Sequence, residues 1–576
     1  MNGLSGKHDG NITVPGKSAR CAIGSLLRMS KRIIMTGIPT DPPAPRPPCG
    51  RAASRRIPGV ALLFLAALVL GLLFNGTRPL WESSETRYAE AAREMARGGD
   101  WLVPRIEGVP HLTKPPLAYW VLAAGMRALG EDEWVVRLPL AVAFALGVVL
   151  TSLLAGRLFS DRRVALRAGL LQMMSPLAFA GGHVVTTDIF VSLFVLAYLW
   201  CMWGALLGRD DRRARAWALG MHAFLALAFL TKGPPAMLPA LAAAAFVVLR
   251  RRSLPWRRLV APGGLALLLA GSLSWFVAVL ATVPGAASVW RQEAVHKVFV
   301  DSARDMSPLL YIPILAGGAL PAVLLLVCSG WFPRRPWMPA AGRSDGSRAR
   351  LFLLLWCLLP LAVFMAARTR LPLYVLPLVP ALNILAASES RPLWPAERRR
   401  GIAAVVPLRT AITVGLWLCL MVAAKVFVAD HGDPHRDLRP VAAAIRADVR
   451  ERRATPEVVL TMPRAGNGLL YYLDGPASRR TRVGGLPAAN VSAGRSQSLM
   501  RVLAAPVDAG VVRYVVSDTP ADAEYHSVLD GWARVVYSGG GWTVWGCPGG
   551  VPPIPGAVAR DVTTACSGEL RPQDSL

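Results

Sequence analysis

Acids, bases and aromatic side chains are concentrated in residues 76–114, directly after the first long apolar segment. Glu85 is a candidate acid or base, and Lys114 is a candidate ligand for a substrate phosphate. A loop that merely joined two membrane helices would not need this density of charge. We therefore predict that the segment folds into a cap at the membrane surface and carries chemistry there.

Each of these side chains also has a structural interpretation. Glu85 opens a helix-like run that Ser83 or Ser84 can cap, and the helix dipole favours an acid in the first turn. Lys114 can equally extend its ammonium group to lipid head groups. An apolar stripe that includes Tyr88 predicts that this helix lies flat at the membrane interface.

Further charged residues border apolar segments later in the chain. Asp188, in GGHVVTTDIF, either caps the next helix or has a function, since acids at membrane depth are costly. The nearby His183 is interpreted as an interfacial side chain rather than a ligand. Lys232 in LTKGPP and Arg370 in RTRLPLY lie on the predicted outer face, where cations oppose the positive-inside bias. A bound anion would explain both.

These residues together indicate one kind of chemistry. Convergent cations suit a lipid-linked phosphate donor, and carboxylates beside them suit deprotonation of an acceptor hydroxyl. The eight cysteines show no metal-type spacing, although Cys547 and Cys566 can pair if they face an oxidising space. We predict no required cofactor and no metal ligands, and leave a divalent cation open.

The composition is that of a membrane protein. Of 576 residues, 53% are hydrophobic and 17% are charged, against roughly 25% charged in soluble proteins. The apolar runs predict roughly 11 to 13 transmembrane helices, including continuous spans over residues 168–186 and 309–331. The net charge of +28 comes from arginines between these runs, so it indicates orientation and contact with anionic membrane lipids, and not nucleic-acid binding.

The arginine-rich loops also predict the topology and the domains. We place residues 1–56 as a disordered cytoplasmic N-terminus and 57–430 as a transmembrane domain whose cap faces outward. The apolar segment 115–130 is either a short span or re-entrant. Residues 431–555 read as a small extracytoplasmic α/β domain, and 556–576 as a frayed tail.

A resemblance to a known family is carried by several motifs in order: ETRYAEAAREM, GDWLVP, KPPLAYW, RLP, LTKG and RLPLYVLP. Over residues 57–390 the chain resembles the polyprenyl-phosphate-dependent GT-C glycosyltransferases. These are the aminoarabinose lipid A transferases and protein O-mannosyltransferases (glycosyltransferase families 39 and 83). The resemblance implies an α-helical polytopic membrane protein with a cavity open to the periplasmic side.

It further implies a bacterial inner-membrane enzyme whose donor sugar is carried on undecaprenyl phosphate or a similar lipid. The acceptor would be a lipid or another extracytoplasmic molecule, as in lipid A or envelope glycan modification. On this basis we assign catalysis to Glu85 and Asp188, and substrate binding to Arg87, Tyr88, Lys114, Lys232 and Arg370. The oligomeric state is not indicated.

Three positions depart from the family pattern. Ser84 and Thr113 stand where relatives usually have acids, and Ala294 stands where they can have histidine. A metal site is therefore less expected here than in those relatives. A catalytically altered relative that binds lipid carrier or glycan without transfer is the main alternative. A transporter is disfavoured because we find no inverted repeat.

Overall fold

The computed structural model describes residues 57–82, 84–208, 210–295, 307–329, 345–367, 370–389, 408–461, 466–473, 482–485, 503, 511–518, 529–530 and 532–547. The predicted disordered N-terminus and frayed tail, together with Arg368, Cys566 and most of the loop after residue 295, lie outside the described residues. Within them, apolar helices dominate, and a small mixed sheet follows near the C-terminus. The predicted fold class is confirmed.

The α-helices before the sheet are α1 (Ile57–Leu72), α2 (Glu85–Gly98), α3 (Leu117–Leu129), α4 (Glu133–Phe159), α5 (Arg162–Met174), α6 (Pro176–Gly181), α7 (Asp188–Leu207), α8 (Asp211–Lys232), α9 (Leu238–Leu249), α10 (Pro262–Thr282), α11 (Ala286–Val295), α12 (Tyr311–Gly318), α13 (Ala322–Cys328), α14 (Asp345–Ala366), α15 (Val379–Glu389) and α16 (Leu408–Asp430). Short 3-10 helices occupy Pro234–Met237, Trp256–Val260, Pro308–Leu310 and Pro372–Leu378.

In the described part of the chain, seven helical segments are long and apolar enough to cross a membrane. Three shorter apolar helices add to them: Gly59–Leu72, Leu117–Leu129 and Pro234–Leu249. The protein is therefore an integral membrane protein. The predicted short segment at 115–130 is the 13-residue helix α3, which starts directly after two prolines because proline is well tolerated at the start of a helix.

Two predicted continuous spans are interrupted. The helix expected over 168–186 breaks at Ser175, before the proline that opens α6. The span expected over 309–331 is the pair Pro308–Gly318 and Ala322–Cys328, bent by 89°. Proline explains both interruptions, because it cannot donate the backbone hydrogen bond that a continuing helix needs.

The cap consists of α2, the short hairpin of β1 (Arg105–Ile106) and β2 (Val109–Pro110), and the start of α3. The apolar stripe that includes Tyr88 and Met95 is buried in the main core rather than exposed at a lipid interface. Ser84 occupies the N-cap position but makes no side-chain capping bond, and α2 ends at Gly99 with φ of 74°. The cap is therefore packed into the protein body.

The C-terminal region forms a five-stranded sheet with its own apolar core. Its elements are α17 (Arg439–Arg452), β3 (Thr455–Leu460), α18 (Gly466–Leu473), β4 (Arg482–Gly485), β5 (Val511–Asp518), β6 (Arg534–Gly539) and β7 (Trp542–Cys547). The strand order is β4-β3-β5-β7-β6, parallel from β4 to β5 and antiparallel from β5 onward. The hairpin between β6 and β7 turns at Gly540 and Gly541, both with positive φ, as such tight turns require. The C-terminal region thus combines helices and strands, as its sequence predicts.

Candidate active site

The antiparallel pair α7 and α8 brings Asp188 and Lys232 together. Helix α7 begins at Asp188, α8 ends at Lys232, and the two have 20 and 22 residues. Since their lengths nearly match, the start of one helix lies beside the end of the other. Gly233 follows with φ of 72°, a conformation that lets the chain turn directly after the lysine. The Lys232 ammonium consequently forms an ion pair with the Asp188 carboxylate.

This ion pair is almost removed from solvent. Each of the two side chains is 9% exposed, and the Lys232 ammonium lies 3.9 Å from the centre of the Tyr374 ring. The Asp188 carboxylate therefore pairs with a side chain of another helix. The capping interpretation predicted only contacts at the start of its own helix. Taking both charges out of water is costly, and such a pair among membrane helices is expected to serve a function.

Helix α2 contributes Arg87 and Tyr88 to the same region. The Tyr88 hydroxyl is hydrogen-bonded to Thr187 and Arg87. Burial raises the pKa of Tyr88, the Arg87 cation opposes this, and the Asp188 carboxylate adds to it, so the phenol stays a proton donor. The buried Arg87 Nε has no hydrogen-bond partner among the described residues. It therefore has a donor to offer to an anionic ligand.

Tyr311 connects the Arg370 segment to the region around Asp188. Its side chain is buried, and one guanidinium nitrogen donates to the Met365 carbonyl at 3.3 Å. The adjacent Leu371 N–H donates to the Tyr311 hydroxyl at 3.1 Å. Tyr311 lies within electrostatic range of both Arg370 and Asp188. Arg370 therefore lies in the same region of the protein as Asp188.

Lys114 lies in the segment that enters α3. Its ammonium donates to the Thr113 carbonyl at 3.2 Å, and the Thr113 hydroxyl lies 2.9 Å from His111 Nε2. The His111 ring packs edge-on against Tyr119 at 6.2 Å, and Tyr119 packs against Tyr88 at 5.6 Å. Aromatic contacts therefore connect the Lys114 segment to the side of α2 that faces Asp188.

Glu85 has a different environment from Asp188. Its carboxylate is completely buried, and Arg78 donates to both oxygens at 2.5 and 3.0 Å. Arg137 lies 3.5 Å from the same carboxylate. The backbone N–H groups of Trp81 and Val185 also donate to it, at 2.9 and 2.7 Å. Glu85 thereby joins the cap to the start of α4 and to the turn before α7.

The charge state of Glu85 follows from these contacts. Burial acts to raise the pKa of Glu85, but the guanidinium groups of Arg137 and Arg78 and the hydrogen bonds outweigh it and lower the pKa to about 2. A carboxylate so stabilised is a weak base at neutral pH. The geometry favours a positioning role for Glu85 over proton abstraction.

Several residues around these sites were not singled out from the sequence. They are Arg78, Arg137, Tyr311, Tyr374 and Lys425. Two signals were available: Arg137 lies in the RLP motif, and Lys425 lies inside an apolar segment, where a charge is costly. Ser84, at the departure from the family pattern, is exposed.

The described residues do not fit a metal centre. No group of three or more His, Cys, Asp or Glu side chains in the described part of the chain is arranged to hold an ion. The buried acids of the candidate site, Glu85 and Asp188, are each paired with basic side chains. We therefore derive no step through a divalent cation.

Comparisons with known proteins agree with this architecture. The family described as dolichyl-phosphate-mannose-protein mannosyltransferase matches residues 113–277. The chain is 34% identical over 336 residues to undecaprenyl phosphate-alpha-4-amino-4-deoxy-L-arabinose arabinosyl transferase 2 of Pseudomonas fluorescens, covering 57% of this chain and 55% of that one. It is 35% identical over 339 residues to the corresponding transferase of Pseudomonas aeruginosa, covering 56% and 58%. The alignments thus span little more than half the length of these relatives.

The fold itself is similar over most of the chain to a solved structure. The crystal structure of ArnT from Cupriavidus metallidurans bound to undecaprenyl phosphate matches with a TM-score of 0.65 and 21% identity, covering 84% of this chain and 97% of that one. The fold is therefore that of the GT-C membrane glycosyltransferases. The resemblance to the polyprenyl-phosphate-dependent members of that class is confirmed.

Proposed function

We propose that this protein is an integral membrane glycosyltransferase that moves a sugar from a polyprenyl phosphate, such as undecaprenyl phosphate, to an extracytoplasmic acceptor. The observation that carries the proposal is the buried Asp188–Lys232 ion pair, surrounded by Tyr374, Tyr88 and Arg87. It combines a carboxylate with convergent cations and hydroxyls in one place. The relatives whose names mention undecaprenyl phosphate support the choice of donor.

The proposed reaction uses the ion pair as a switch. The donor phosphate binds Lys232, with Arg87, Lys114 and Arg370 as further cations, and draws the ammonium away from Asp188. The freed carboxylate accepts the proton of an acceptor hydroxyl, whose oxygen attacks the sugar C1. The bond between C1 and the phosphate oxygen breaks, and the cations stabilise the charge that develops on the leaving phosphate.

We assign Glu85 the task of holding this site together. Through Arg78, Arg137 and the Val185 N–H, it connects the cap to the turn that leads to Asp188. Such a carboxylate acts on the reaction by fixing the geometry of groups that touch the substrate.

The proposed location is the bacterial inner membrane, with the site facing the periplasm. Arginine-rich loops on the opposite side support this orientation. The C-terminal sheet region contacts the cap through α18, because the Leu80 N–H donates to the Tyr472 hydroxyl at 2.8 Å. Both regions therefore lie on the same side. A lipid or envelope glycan is the proposed acceptor.

The decisive experiment compares Asp188→Asn with Asp132→Asn. Asp132 is exposed and makes no side-chain capping bond, so it controls for the chemical change alone. Mass spectrometry of surface glycolipids from complemented deletion cells should show a product lost at least about hundredfold for Asp188→Asn, as for removal of a general base, and unchanged for Asp132→Asn.

Unaltered product with a correctly inserted Asp188→Asn protein would refute the role of the acid. Purified wild-type protein that binds polyprenyl phosphate but transfers no sugar to any acceptor would instead favour a binding protein without transfer activity. Ser84 is exposed and stands where relatives usually have an acid. This difference is the reason to consider a binding protein without transfer activity.

A further inference from the structure

A second polar site lies beside the two arginines that bind Glu85. A cavity of about 470 Å³ opens between α6 and α16. Its polar lining comes from Asn75, Arg78, Arg137, His183 and Lys425. The proposed transfer reaction uses none of them directly on substrate.

The cavity concentrates positive charge. Arg78, Arg137 and Lys425 line it, and among the described residues of its lining none is acidic. Glu85 lies behind the two arginines and neutralises one of the three cations. Arg78 and Arg137 share this one carboxylate, so positive charge remains in excess beside the cavity. Charges of one sign held this close repel each other unless an anion lies between them.

Unpartnered polar atoms point to the same conclusion. Both polar side-chain atoms of the Asn75 amide are buried without a hydrogen-bond partner among the described residues. Buried polar groups are nearly always satisfied, and each one left over costs free energy. An anionic ligand would give the Asn75 amide nitrogen and the unpartnered Arg137 Nε an acceptor and would balance the excess positive charge.

The rest of the surroundings are apolar and face lipid. Helix α16 is mostly exposed at its surface, as expected for a helix against the bilayer. A second cavity of about 420 Å³ shares Trp417 and Leu420 with the first and is otherwise lined mainly by apolar side chains of α5, α13 and α16. The two cavities together offer a cationic end and an adjoining apolar groove along one membrane helix.

We propose that this pair of cavities is a binding site for an anionic phospholipid. Its head-group phosphate lies among Arg78, Arg137 and Lys425, and an acyl chain occupies the groove beside Trp417. The site is separate from the Asp188–Lys232 pair and does not depend on sugar transfer. The site holds a bilayer lipid in a fixed position beside Arg78 and Arg137, the two arginines that bind Glu85.

The test measures lipid retention by the purified, delipidated full-length protein. Native mass spectrometry follows binding of phosphatidylglycerol, with phosphatidylcholine and inorganic phosphate as alternative ligands. Lys425→Gln should bind phosphatidylglycerol about tenfold more weakly, as expected for loss of one charged hydrogen bond. Arg252→Gln removes the same charge from an exposed loop and should bind like the wild type.

A second variant keeps the test independent of the lysine. Ala424 lines the first cavity, so Ala424→Trp fills the space while every cation remains, and it should also lose phosphatidylglycerol. The proposal is overturned if both variants retain phosphatidylglycerol at wild-type affinity. Equal binding of phosphatidylcholine, or displacement of the lipid by inorganic phosphate at equal concentration, would also overturn it. Because the measurement is lipid binding and not sugar transfer, a protein without transferase activity can still meet these expectations.

Discussion

Arg78 holds both carboxylate oxygens of Glu85, at 2.5 and 3.0 Å, in a fully buried fork of two hydrogen bonds. Arg137 approaches the same carboxylate from the start of α4. One acid therefore bonds to two guanidinium groups beneath the cap and is their shared counter-charge. This arrangement makes Glu85 a structural centre for the site rather than an exposed reagent.

Glu85→Gln should destabilise the protein strongly. The change leaves two buried guanidinium groups without a counter-charge, and breaking a buried pair in this way typically costs about 3–5 kcal/mol. We expect a markedly lower thermal inactivation temperature in detergent. Glu131→Gln removes a partner of Arg97 from a pair that is about one-third exposed, and should cost at most about 1 kcal/mol. Equal stability of the two variants would contradict the assignment.

Glu82 should make stability depend on pH. Burial raises the pKa of Glu82 to about 7, although Thr86, Gly468 and Arg87 oppose the shift. The folded protein thus favours the protonated form, and its stability should fall as pH rises from about 4.5 to about 7. Glu82→Gln keeps an acceptor for Thr86 and should flatten this part of the profile. Thermal inactivation of both proteins measured from pH 4.5 to 8 tests this prediction. If stability falls equally with pH in the variant and the wild type, Glu82 is not the source of the pH dependence.

Tyr374 should support the charge of Lys232 through its ring. The ammonium lies 3.9 Å from the ring centre, a contact worth about 0.5–2 kcal/mol. Tyr374→Leu should therefore weaken donor binding by about 2- to 30-fold, whereas Tyr374→Phe retains the aromatic face and isolates the hydroxyl. Titration with a polyprenyl phosphate is the measurement. Equal losses in the two variants would assign the effect to the hydroxyl.

Arg93 should hold the C-terminal region against the cap. Its guanidinium pairs with Glu90 at 2.5 Å and donates to the Tyr471 carbonyl at 2.8 Å, with both charged side chains at most 4% exposed. Arg93→Met leaves the Glu90 charge buried and should expose residues 431–461 to protease. The double variant with Glu90→Gln removes both charges and should be cleaved more slowly than the single variant. Faster cleavage of the double variant would disprove the explanation.

Much of the membrane architecture could be predicted from local sequence. Apolar length, together with the motif LTKG and the acid in TTD, placed Asp188 and Lys232 at the ends of apolar segments. Hydrophobic length and charge bias act locally, so they can be read along the chain. The interrupted spans at Ser175 and after Gly318 were missed, because hydropathy does not report the direction in which a helix resumes after a break.

Local sequence was thus enough to predict a helical membrane protein, a charged cap, a small C-terminal α/β region and the candidate acids and cations. The difference between the two acids required the folded protein: Asp188 contacts a lysine 44 residues away, while Glu85 is enclosed by Arg78, Arg137 and the Val185 N–H. The cavity beside Lys425 likewise became apparent only in the folded protein. Charge and burial at a site depend on groups that are distant in the chain, and folding alone brings those groups into contact.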